Sequence, residues 1–154
     1  MSPLEKDVVI EQELAQIQRE IPVREHFPAD VKRILIYLRD HLFEETCNVN
    51  AIKENSGVRS GDIHARFKYH TGLSIRQYIE KWRLEAATRL IRYETLKVYV
   101  IGFSVGYASY RSFDRAFRRC KGCSPTAYRK KIPGDAASER TQKMELVRRA
   151  VSSG

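Results

Sequence analysis

The sequence predicts an all-α protein, and three observations carry that expectation. Apolar residues recur at three- and four-residue spacing through most of the chain. No stretch alternates apolar and polar residues as a half-buried strand does, and there is no Asn-Gly hairpin dipeptide. A pattern of helix, glycine-containing turn and helix also occurs twice, about 49 to 50 residues apart.

A chain of 154 residues has room for one core or two small subdomains, which excludes large multidomain enzyme architectures. With 42% hydrophobic and 31% charged residues, it falls in the globular class. No apolar run approaches the roughly 20 residues that span a bilayer, and Met1 to Ile10 lacks the basic-then-apolar order of a secretory leader. The three cysteines, Cys47, Cys120 and Cys123, are too few and odd in number for a disulfide framework. These features predict a cytoplasmic protein without membrane contact.

The elements follow in order. Ile10, Leu14, Ile17 and Ile21 form an apolar stripe on an N-terminal amphipathic helix within residues 1–27, which Pro22 terminates. A second helix opens at Pro28-Ala29-Asp30 and buries Val31, Ile34, Leu35, Leu38 and Leu42. The first helix-turn-helix unit is expected at about 49–70 and the second at about 98–121, with Gly72 and Gly122 as helix stops. Between them Ile75, Tyr78, Ile79, Trp82, Ala86, Leu90 and Ile91 describe one linker helix over about 74–92, on the order of 25 Å long. Residues 133–154 read as a flexible tail, with a short helix around Met144 to Val151.

The repeat fixes how these elements relate. Val49, Ile52 and Gly57 align with Val98, Ile101 and Gly106 at an offset of 49, and after the turn the offset becomes 50. Ile63, Phe67, Lys68, Gly72, Ser74 and Tyr78 then align with Phe113, Phe117, Arg118, Gly122, Ser124 and Tyr128. The inserted residue falls just after the glycine, where a turn accommodates it. Each copy is thus a short apolar-faced helix, a tight turn and a second helix whose outer side is free for a groove of DNA.

Charge agrees with a polyanionic partner. The net charge of +9 is unevenly spread: residues 1–27 hold three basic and six acidic groups, whereas residues 96–132 hold nine basic groups against Asp114 alone.

With the repeat and its strut described, residues 31–132 resemble the DNA-binding domain of AraC/XylS-family regulators. The likeness is carried by Ile101, Gly106-Tyr107, Ser109, Phe113, Arg115, Phe117-Arg118-Arg119, Gly122 and Ser124-Pro125-x-x-Tyr128-Arg129, and in the linker by Tyr78-Ile79, Arg83-Leu84, Ala87 and Leu90-Ile91. Phe67-Lys68, Gly72 and Ser74 carry it in the first unit. The resemblance implies a 28–132 DNA-binding domain of two homeodomain-like units, double-stranded DNA as partner, contact with RNA polymerase and no cofactor. Three positions depart from the family's pattern. Lys53 stands where Ala is common, Ala65 where Arg commonly precedes the Phe-Lys pair, and Gly102 where a small Ala is usual. The last is expected to cost about 1 kcal/mol of helix propensity.

Ser109 is expected to cap the second recognition helix and leave Tyr110, Arg111, Ser112 and Arg115 facing the groove, with Phe113 and Phe117 turned inward. Arginine reads guanine through O6 and N7, which makes Arg111 and Arg115 the leading candidates for base contact. The first unit offers Ser60, Gly61 and His64, flanked by Arg59 and Arg66, and is expected to add less to specificity. Lys68, Arg118, Arg119, Lys121, Arg129, Lys130 and Lys131 are expected on phosphates. Cys120-x-x-Cys123 supplies two of the four ligands a zinc site needs, so neither metal nor catalysis is expected there. The alternatives are a DNA-binding module of an alkylation-repair enzyme and an architectural or RNA-binding protein. The first needs an activated cysteine flanked by Pro and His-Arg, a pattern not found here. With no effector domain ahead of residue 28, the expectation is a stand-alone regulator, or one whose N-terminal helix packs on the first unit or recruits a partner protein.

Overall fold

The computed structural model describes residues 2–58, 61–132 and 145–151, which form helices, turns and loops without a strand. Ser2 opens α1 (Pro3–Glu20) with a reciprocal cap: its hydroxyl accepts from the Glu5 N–H at 3.2 Å, and the Glu5 carboxylate accepts from the Ser2 N–H at 2.9 Å. Ile17 and Ile21 of the expected stripe are buried, and in its first half the burial moves by one residue, from Ile10 and Leu14 to Val9 and Glu13. Val9, Glu13 and Ile17 are buried together with the capping Ile21, while Ile10 and Leu14 lie half-buried beside them. An acidic side chain takes the central place because Glu13 Oε1 accepts a hydrogen bond from the Tyr93 hydroxyl at 3.0 Å. The helix lies across α2 (Ala29–His41) and α5 (Ile75–Leu90), so its apolar stripe is satisfied within the molecule. Arg39 donates to the Ile21 carbonyl at 2.9 and 2.6 Å, and Arg89 pairs with Glu20 at 2.7 Å.

α2 buries Val31, Ile34, Leu35 and Leu38, with Leu42 just beyond, as their spacing predicts. It forms the first unit with α3 (Val49–Ser56) and α4 (Ile63–Thr71); α5, α6 (Val98–Ser104) and α7 (Tyr110–Lys121) form the second, and α8 (Pro125–Lys130) closes it. Local geometry repeats closely. Gly72 and Gly122 adopt φ of 84° and 77°, and each N–H donates to a carbonyl four residues back, of Lys68 and Arg118, at 2.8 Å. Tyr78 packs edge-on to Phe67 with ring centroids 5.2 Å apart, and Tyr128 to Phe117 at 5.5 Å.

The loops before α3 and α6 extend the repeat backward beyond the aligned residues. Cys47 N–H donates to the Glu44 carbonyl and Leu96 N–H to the Tyr93 carbonyl, each at 3.0 Å, again at an offset of 49. An arginine from a following helix clamps each loop. Arg83 donates to the carbonyls of Leu42, Glu44 and Cys47 at 2.9, 2.8 and 3.3 Å; Arg129 donates to Ile91, Tyr93 and Leu96 at 2.9, 3.2 and 2.7 Å. The guanidinium fork suits this task, since carbonyls at a chain reversal converge where one planar donor set can reach them.

In the tail, residues 145–151 are helical, Val147 is buried and half-buried Val151 packs beside it four residues on, and Arg148 approaches Glu5 at 3.9 Å. That part is docked on the body and not loose. The rest of the 133–154 tail lies outside the described residues.

Gly102 is a fit and not a flaw. A Cβ there would stand 2.7 Å from the Phe113 ring, which is fully buried and has nowhere to move. Gly102→Ala is therefore expected to lower stability by up to about 2 kcal/mol, since overpacking at about 1–3 kcal/mol is offset only by the helix-propensity gain of about 1 kcal/mol. Chemical denaturation measures it, and a stabilised variant would overturn the packing account.

Candidate nucleic-acid interface

α7 is amphipathic in an uncommon sense, apolar on one side and cationic on the other. Phe113, Ala116 and Phe117 are buried, and at about 100° per residue Arg111, Arg115 and Arg118 stand opposite them as one outward stripe. The Ser109 hydroxyl accepts from the Ser112 N–H at 3.1 Å, so the helix begins one residue before Arg111 and presents a full first turn. All four expected readers, Tyr110, Arg111, Ser112 and Arg115, are exposed. They are not equivalent. Tyr110 lies against Phe113 with centroids 6.3 Å apart, and the Ser112 hydroxyl donates to the Ser109 carbonyl at 2.9 Å, so these two support the turn while the arginines extend from it.

α4 is built differently. It starts at Ile63, the repeat counterpart of Phe113, and its capping residue Asp62 makes no side-chain cap. Its outward direction is centred on Ala65, the counterpart of Arg115, with Lys68 and Tyr69 to either side. His64 is exposed but sits on the flank, opposite Asp114 in the repeat. Gly61 lies before the helix, and Arg59 and Ser60 are outside the described residues. Arg66 bends back to Asp30, with Nε at 3.0 Å from the carboxylate, and so ties α4 to α2. Tyr69, 85% exposed, was not singled out from the sequence; its repeat counterpart, Arg119, is the signal that identifies it.

The cations expected on phosphates divide into three groups. Lys68, Lys121, Lys130 and Lys131 have exposed ammonium groups with no ion-pair partner among the described residues. Arg118 pairs with Asp114 at 2.8 Å and Arg119 with Glu80, yet both side chains stay 59% exposed. Arg129 is the exception: its guanidinium is held by the three loop carbonyls, which gives it a structural task in place of an outward one.

Between the units lies a cleft of about 550 Å³, walled by the first turn of α3, one face of α5 and the Ser112–Arg115–Arg119 side of α7. Tyr107 borders it, its phenol pushed up to about 12 by burial and by the charge of Glu80. At the end of α7, burial and Glu80 also raise the Cys120 thiol, the opposite of what a nucleophile or metal ligand requires.

Two helix-turn-helix units with a cationic second recognition helix define a DNA-binding protein. A family model described as "Helix-turn-helix domain" matches residues 54–131, and the chain belongs to the AraC/XylS family of DNA-binding transcription regulators. It is 33% identical over 105 residues to the HTH-type transcriptional activator RhaS of Escherichia fergusonii, covering 68% of this chain and 37% of that protein. The activator of the same name from Salmonella arizonae is 31% identical over 97 residues, covering 63% and 34%. This chain thus spans about a third of the length of those activators. Among solved structures it is similar to the C-terminal domain of AraT, a response regulator from Geobacillus stearothermophilus, with a TM-score of 0.65 at 25% identity over 70% of this chain and 89% of that one. The fold is shared with the DNA-binding domain of the transcriptional factor AdpA, solved with a target DNA, at a TM-score of 0.59 and 24% identity, covering 67% and 92%.

The reassignment of Arg129 has a direct test. Arg129→Ala should cost on the order of 3 kcal/mol of stability, because hydrogen bonds to a charged group contribute about 1.5–3 kcal/mol each and partly compensate on removal. The salt dependence of DNA binding by the folded fraction should not change. Lys121→Ala should do the reverse, sparing stability while the salt slope falls by about one unit.

Proposed function

We propose that the chain reads an asymmetric DNA site of roughly two helical turns as a monomer, with α7 as the main reader and α4 as the weaker one. The observation that carries this is the contrast between the two recognition helices: Arg111 and Arg115 on the outward stripe of α7, against Gly61 and Ala65 at the matching places of the first unit. Arg111 and Arg115 take base edges in the major groove. Lys68, Lys121, Lys130 and Lys131, with Arg118 and Arg119, meet phosphates, and His64 and Tyr69 make the first unit's lateral contacts. The protein acts in the cytoplasm on nucleoid DNA, performs no catalytic step, and contacts RNA polymerase from its bound position. Since α1 uses its apolar stripe internally, a partner protein would meet only its outer side, where Asp7 and Glu11 are exposed.

Competition binding against single-base variants of the selected site tests the assignment. Arg111→Ala and Arg115→Ala should each cost about 1–3 kcal/mol on the preferred site and relax discrimination at one base pair, whereas His64→Ala should change preference less. Ala65→Arg, which restores on α4 the residue type found at position 115, should add a base preference in the first half-site. A uniform loss of affinity in Arg115→Ala, together with altered preference in His64→Ala, would reverse the roles of the two units. A palindromic selected site bound only as a dimer would sink the monomer reading.

A further inference from the structure

The cleft between the two units holds more positive charge than the fold uses. Of four arginines on its walls, Arg83 is consumed by the loop carbonyls and Arg119 is paired with Glu80, the one carboxylate present. Arg76 on α5 and Arg115 on α7 remain, without an ion-pair or hydrogen-bond partner among the described residues. Two unpaired cations facing one concavity repel each other, and the walls focus their field into it, so an anion bound there is favoured twice. Guanidinium forks match phosphate oxygens in pairs, and Arg76, being exposed and uninvolved in packing, has no structural task that explains its position.

We propose that the inter-unit cleft is a phosphate-binding site seated on Arg76, to whose field Arg115 on the facing wall adds its charge at range while its guanidinium keeps its base contact. At about 550 Å³ the cleft is larger than one phosphate and within the roughly 300–1,000 Å³ of small-molecule sites. It can take either a length of sugar-phosphate strand passing between the two grooves or a free organic phosphate. Ala51 N–H is taken by the Asn48 side chain, and the Val49 and Asn50 amides, at the start of α3 on the cleft wall, lack helical partners and add donors of the right polarity. A ligand held between α3, α5 and α7 touches both units. Occupation by the DNA strand therefore strengthens two-groove binding, and occupation by a free phosphate competes with it.

The proposal rests on the two-groove reading and deepens it, and the test separates them. Wild type, Arg76→Ala, Arg76→Gln and Arg111→Ala are compared on the selected site and on unrelated duplexes at three salt concentrations. A second arm titrates the free proteins with inorganic pyrophosphate, followed by the NMR signals of the arginine Nε–H groups. For a DNA-strand phosphate, both Arg76 variants should lose affinity several-fold and equally on all duplexes, with the salt slope lower by about 0.9. For a free phosphate, pyrophosphate should bind wild type saturably, displace DNA and fail to bind the Arg76 variants. Arg76 variants that bind DNA with unchanged affinity and slope, in a protein that does not bind pyrophosphate, would overturn the proposal. So would variants that alter preference at one base pair. Arg111 does not line the cleft, so a uniform response to Arg111→Ala sinks the reading of bases by α7, whereas an unaffected Arg76→Ala sinks the cleft alone.

Discussion

The guanidinium of Arg83 is the constraint on which the relative placement of the two units depends. Arg83 as a whole is 8% exposed, and its guanidinium satisfies three carbonyls of the loop that ends α2 and passes under the turn of the second unit. There Gly106, at φ 109°, approaches so closely that a Cβ would stand 2.8 Å from the guanidinium carbon, and the Tyr107 ring lies 5.7 Å from it. Burial lowers the Arg83 pKa from its usual value, yet a guanidinium with that much range to spare stays charged. A buried cation is costly unless its donors are matched, so every structure that moves the first unit's loop from the second unit's turn breaks charge-assisted hydrogen bonds in a dry place. Lysine would bring one point charge to carbonyls that lie in three directions.

Arg129 performs the same clamp for the second unit, and this equivalence shows that the repeat is physical as well as textual. What recurs is a helix, a loop of converging carbonyls, two short helices and an arginine returning from the next helix. Against this constancy the reading faces diverge. α7 gains a capped first turn from Ser109, whereas α4 begins three repeat positions later and keeps Ala65 at its centre. Because core contacts such as Phe67–Tyr78 and Phe117–Tyr128 are matched, the divergence belongs to the surface and leaves the fold's stability largely untouched.

Most of the fold was legible in the sequence because periodicity and glycine stops are local signals. α2, α5, α7 and the left-handed caps at Gly72 and Gly122 lie where spacing placed them. The errors have one cause, that a side chain's partner can be distant in sequence. Glu13 takes the place expected for Leu14 in the stripe of α1 because Tyr93, 80 residues on, supplies a donor. Arg129 was taken for an outward cation because nothing nearby shows that three carbonyls converge on it. Gly102 was taken for a weakened helix because the ring of Phe113 is out of reach of a propensity argument. In the candidate interface, residue type and helical phase found the stripe on α7, and the repeat would have added Tyr69 through Arg119, but Arg76 needed the three-dimensional face.

The same helix, α5, separates the protein's two electrostatic sides. Its Arg76, Glu80 and Arg83 edge opens on the cleft, while Arg89, on another side, is bound to Glu20 of α1. The acidic N-terminal segment thus covers the connecting helix away from the cleft, and the basic stretch 96–132 supplies α7 and α8. A chain whose +9 were spread evenly would be drawn to a polyanion in any orientation. Here the segregated charge gives the molecule a dipolar field as well as a net charge, and such a field orients the encounter before any contact forms. Within the roughly 8 Å reach of physiological screening, the acidic helix is repelled where the arginine stripe is attracted. The N-terminal helix therefore acts twice: its buried side braces the joint that Arg83 pins, and its exposed carboxylates disfavour the wrong face.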